Sequence, residues 1–123
     1  TEAPYPSERC IHQLFEDQVA KTPDAIALID DDRSMTYRAL SNRAVRLAQK
    51  LIDMGVEPRD NVAMLLRRSF ELVIAQLAIL KVGAAYVPID VKAPVDRQVY
   101  IAFDSGAKLL ITDESTDVPV QIQ

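Results

Sequence analysis

With 123 residues, 18 acidic and 14 basic side chains and a formal net charge of −4, the chain has the length of one domain with a buried core and no cationic face for nucleic acid. Apolar residues make up 49% and charged residues 26%, the balance of a folded globular protein, and no apolar run is long enough to span a bilayer. Cys10 and His12 are the only residues of their types, which excludes an internal disulfide and any Cys/His metal site built by this chain alone. One unpaired cysteine and no secretory pattern at Thr1 to Ser7 set the expectation of a reduced, cytoplasmic setting.

Thr1 to Arg9, with two prolines, reads as a linker from a preceding domain. Ile11, Leu14, Phe15 and Val19 form a helical stripe that predicts a helix over Cys10 to Lys21, stopped by Pro23. Ala25 to Ile29 and Ser34 to Thr36, separated by Asp30-Asp31-Asp32-Arg33, predict a hairpin. Thr36 is a good N-cap for a helix over Tyr37 to Met54, with Leu40, Ala44, Leu47 and Leu51 inward and Gly55 as its stop. Val62 to Leu66 is an unbroken apolar run, as in a strand covered on both faces. Ser69 can cap a helix over Phe70 to Val82, apolar nearly all round and ended by Gly83. A strand at Ala84 to Val87 stops at Pro88. A helix then runs from near Pro94 to Gly106 with Val99, Ala102 and Phe103 inward, followed by a strand at Lys108 to Thr112. Asp113 to Asp117 is polar loop, and Val118, Val120 and Ile122 alternate like a half-buried edge strand. Strands alternating with helices predict an α/β fold, helices layered on a mostly parallel sheet.

MTYRAL at Met35 to Leu40 and LKVGAAYVPID at Leu80 to Asp90 resemble the first two core motifs of the amino-acid adenylation domains of nonribosomal peptide synthetases. Pro94, Arg97, Tyr100 and DSGAKLLIT at Asp104 to Thr112 resemble the segment that follows in that family, so the likeness runs from Cys10 to Thr112. The family resemblance implies a partial N-terminal subdomain of an adenylate-forming enzyme. Its parent would activate an amino acid with ATP and magnesium as an aminoacyl adenylate and load it on a carrier-protein phosphopantetheine. The implied partners are the remainder of the adenylation domain, and the carrier and condensation domains. The family's phosphate loop, selectivity positions, ribose-binding aspartate and catalytic lysine lie downstream of the resembling segment, so no catalytic, cofactor or metal residue is assigned here. Ala39 stands where the first motif usually carries glutamate, which leaves Thr36 with one arm of a capping box.

The motif residues Thr36, Tyr37, Leu40, Leu80, Lys81, Gly83, Tyr86, Pro88 and Asp90 are read as structural. Lys81 invites a catalytic role, but a cation in the last turn of a helix is favoured by the dipole alone. Pro88 would end a strand, and Asp90 would cap the turn after it. Arg67 and Arg68 follow a strand at its carboxyl end, where they are either an anion clamp or solvated flanks, with the second preferred. Asp30, Asp31 and Asp32 are read as solvated hairpin residues rather than a cation site, and Cys10 and His12 as packing or surface residues. Gly55, Gly83 and Gly106 are the only glycines and too scattered for a phosphate-cradling loop, so the chain alone is expected to be inactive. The alternative is a non-catalytic binding or interaction module on an adenylation-like scaffold. An open sheet edge and the all-round apolar helix add the expectation of self-association.

Overall fold

The computed structural model describes residues 8–67, 69–113 and 119–122. In chain order the elements are α1 (Glu8–Lys21), β1 (Ile26–Ile29), β2 (Ser34–Thr36), α2 (Tyr37–Asp53), β3 (Asn61–Leu65), α3 (Phe70–Val82), β4 (Ala85–Pro88), α4 (Val95–Asp104), β5 (Leu109–Thr112) and β6 (Val120–Gln121). β1 and β2 pair antiparallel as a separate hairpin, while the main sheet has the order β4-β3-β5-β6. Within it β3 runs parallel to both β4 and β5, and β6 pairs antiparallel with β5.

Local chemistry accounts for the element ends. Thr36 is extended, and its hydroxyl accepts a hydrogen bond from the Ala39 N–H at 3.1 Å, so the single-armed cap forms. Leu40, Ala44, Leu47, Ala48 and Leu51 give α2 one buried face. At the end of α3, Gly83 sits at φ +86°, and the N–H groups of Gly83 and Ala84 return to the Leu80 and Ile79 carbonyls, the double closure that a left-handed residue permits. Pro88 is tolerated in β4 because β4 is an edge strand.

Alternation along the strands divides the core. Val62, Met64, Leu109 and Ile111 face α2 and α3, whose own buried residues include Leu51, Ile74, Ala78 and Ile79. Ala63 faces the other way, toward Ile89, Ala102 and Ala107, with Leu65, Val87 and Leu110 half-buried beside it.

Several expectations need correction. The expected linker through Arg9 lies outside the described residues up to position 7, and α1 begins two residues earlier than predicted, at Glu8. Ser69 precedes α3 in an extended conformation but makes no side-chain cap, because its hydroxyl donates to the Arg67 carbonyl instead. Pro94 is the N-cap of α4 rather than a first-turn residue. The expected inward stripe of α4 is only partly inward: Ala102 is buried, whereas Val99 is 49% and Phe103 60% exposed. The helix meets the sheet on its Ala102 and Ile101 side, against the small Ala63 and Ala107, and this rotates the larger side chains outward. α3 is not left uncovered, since its all-round apolar surface is enclosed by α1, α2 and the sheet. Of the tail, Val118 falls outside the described residues, and Val120–Gln121 pairs with β5 of its own sheet.

Candidate functional site

Because β3, β4 and β5 are parallel, their carboxyl ends lie together, the position where open α/β sheets take ligands. The chain leaves β3 toward one neighbour through α3 on one face, and leaves β4 toward the other neighbour through α4 on the opposite face. A cleft of about 460 Å³ opens at this end, lined by Leu65, Arg67, Val91, Gln98, Thr112 and Asp113 among others.

Arg67 follows β3 and Asp113 follows β5; the Arg67 Nε donates to the Asp113 carboxylate at 3.0 Å, and the Arg67 N–H lies 3.4 Å from both carboxylate oxygens. The pair ties two strand ends together and neutralises the guanidinium. Arg68, the second member of the expected clamp, lies outside the described residues. The floor of the cleft is the turn after β4. Asp90 accepts from the Lys92 N–H at 2.9 Å, as its turn-capping role requires, and the Gln98 amide lies within 3.1–3.3 Å of the Asp90, Val91 and Ala93 carbonyls. Gln98 thus fixes the loop from α4.

The other motif residues are spread through the scaffold. Tyr37 opens α2 with its ring 6.1 Å from that of Phe15, and Leu40 is buried below it. Tyr86 packs on the α2–α3 side of the sheet. Leu80, Lys81 and Gly83 line a second cleft at the amino ends of the strands, remote in the sheet from the Arg67 end. There Lys81, 16% exposed, pairs with Glu16 of α1, and His12 lies 3.8 Å from the same carboxylate. Burial, and then the Lys81 charge, hold the His12 pKa below its ordinary value against the opposing pull of Glu16. Asp30, read from sequence as solvated, pairs with Arg33 at 3.0 Å, which lowers its pKa, and the Arg33 guanidinium stacks 4.4 Å from the Phe70 ring centre. Sequence spacing gave no sign of Glu16, Arg33 or Asp113 as partners. The Lys81 and Arg67 pairs close across 65 and 46 residues of chain.

Among the described residues no three His, Cys, Asp or Glu side chains converge on a cation position. The Arg67 end offers a neutralised ion pair, an amide committed to the loop and aliphatic walls. It can position a ligand's edge, with the Asp113 carboxylate engaged by Arg67.

A family model described as AMP-binding enzyme matches residues 15–123. The chain belongs to the AMP-binding enzyme family. Among its relatives, malpibaldin synthetase of Mortierella alpina is 57% identical over the whole chain, which spans 2% of that protein's length. The N-terminal subdomain of NpsA from Klebsiella oxytoca, solved in complex with 3-hydroxybenzoyl-AMSN, superposes with a TM-score of 0.77 at 35% identity, covering 84% of this chain and 26% of that one. NpsA-ThdA, an artificially fused adenylation-PCP di-domain NRPS from the same organism, gives 0.79 at 36% identity, covering 89% of this chain and 21% of that one. The chain therefore spans a small part of its relatives' length, and its fold matches part of the NpsA N-terminal subdomain.

Proposed function

We propose that this chain serves as the opening scaffold of an amino-acid adenylation domain whose parent, a nonribosomal peptide synthetase, activates an amino acid with ATP and passes it to a carrier-protein phosphopantetheine. The observation that carries this reading is the family match over residues 15–123 joined to superposition on an adenylation-PCP di-domain. The second motif supports it physically, because Leu80 to Asp90 builds the α3–β4 junction and the turn beneath the Arg67 end. Residues 10–112 are assigned to the adenylation piece, residues 113–123 to a loop and edge strand, and the motif residues from Thr36 to Asp90 to holding the scaffold.

Among the described residues no three His, Cys, Asp or Glu side chains gather for a metal ion, and no chemical step is derived through the magnesium ion and ATP implied for a complete domain. The remainder of the adenylation domain is assigned to the α4 and β6 side, where apolar surface is left over, and the carrier and condensation domains to the parent. The cytoplasm is the proposed location; among the described residues no helix is long and apolar enough to cross a membrane.

Amino-acid-dependent exchange of pyrophosphate into ATP tests the proposal. The 123-residue chain is expected to match a no-protein control and a polypeptide carrying the complete domain to exchange. Exchange by the chain alone would overturn the scaffold assignment, and none by the complete polypeptide with any amino acid would overturn the adenylation assignment.

A further inference from the structure

At the amino ends of the strands, a cleft of about 630 Å³ lies between α1, the turn before β3 and the end of α3, lined by His12, Gln13, Pro58, Arg59, Lys81 and Gly83 among others. Its charges do not cancel. Lys81 is answered by Glu16, and burial together with the Lys81 charge disfavours the charged form of His12. Arg59 has no ion-pair partner among the described residues, and Asp60 of the same turn is taken by Lys108.

Arg59 is also the one non-glycine residue with left-handed backbone among those described, at φ +76°. Its N–H is held there by the Gly83 carbonyl at 2.9 Å, so the tight turn imposes the conformation, and glycine would adopt it at less cost. Arg59 is exposed, so burial of its side chain does not account for an arginine at this position. The walls beside it include Pro58, Leu80 and Val82, and the space exceeds that of a bare ion.

We infer that this cleft binds the carboxylate side chain of an acidic peptide segment, with the Arg59 guanidinium taking the carboxylate and the aliphatic wall taking its stem.

The test uses the ¹⁵N-labelled 123-residue chain titrated with N-acetyl-Leu-Glu-amide and, separately, with N-acetyl-Leu-Gln-amide, which differs only in charge. The glutamate peptide is expected to move the Gln13, Arg59 and Gly83 amides saturably and to bind about tenfold more tightly than the glutamine peptide. R59G suits the backbone, keeps the fold and should weaken the glutamate peptide about tenfold, while R59K retains part of the affinity. Equal affinity for the two peptides, undiminished binding by R59G, or no saturable shift up to about 20 mM would each overturn the inference.

Discussion

One face of the β4-β3-β5-β6 sheet, bearing Val62, Met64, Leu109 and Ile111, lies under α2 and α3, and α1 closes the outer side of that layer. The opposite face, bearing Ala63, Leu65, Val87 and Leu110, is met by a single one of the described helices, α4, with Ile89 and Ile122 beside it, and an apolar cleft of about 280 Å³ remains between α4 and β6. Val95, Val99, Tyr100, Phe103 and Val120 stay exposed around this thin side. The difference separates two uses of apolar residues: on the first face they hold this chain together, and on the second they are available to something added to it.

Truncation on the closed face should have the largest effect. Ile79 is fully buried, and Ile79→Ala is expected to cost about 2–5 kcal/mol in denaturant unfolding, because the surrounding helices cannot collapse into the space. Thr36→Ala removes the hydroxyl that satisfies the Ala39 N–H and should cost about 1 kcal/mol in the same measurement.

A smaller contribution is read as a pH slope. The folded state resists protonating His12, so the unfolded chain binds that proton more readily. Stability therefore falls as pH drops from above the ordinary value of 6.5 toward the lowered folded value, then levels off. His12→Gln should flatten that interval and leave unchanged the separate loss below 3.8, where Asp24, Asp30 and Asp60, lowered by Arg38, Arg33 and Lys108, become protonated. On the thin face the effect on stability should be smallest. Phe103→Ser is expected to shift unfolding by less than about 0.5 kcal/mol while reducing hydrophobic-dye binding and concentration-dependent light scattering. A loss comparable to that of Ile79→Ala would mean that the two faces do the same work.

The same contrast governs what could be read from sequence. α3 and the α2 stripe were legible because each fills a complete layer within the chain, so apolar spacing and burial coincide. In α4 they diverge: Val99 and Phe103 dominate the pattern by size, yet the contact is made through Ala102 and Ile101, since a small residue permits close approach to Ala63. The Arg67 end was legible on one side only. A cation after a strand shows in the sequence, but Asp113 meets it through the β3–β5 pairing, which local spacing does not encode. The position of Lys81 in the last turn of α3 is likewise legible in the sequence, whereas its partner Glu16 follows from how α1 lies across that helix.

The central position of β3 bears on how the chain takes shape as it is made. β3 is the first of the three parallel strands to emerge from the ribosome, yet both of its neighbours, β4 and β5, come later. At about 5–20 residues per second, the stretch from Leu65 to Ala85 takes about 1–4 s to follow, far longer than collapse of the apolar helices. During that interval Val62 and Met64 can be sheltered by α2, but the backbone donors and acceptors of β3 wait for partners. β3 can therefore pair only once β4 has followed it, and a synonymous codon change that slows the α3–β4 stretch would lengthen the time this strand stands open.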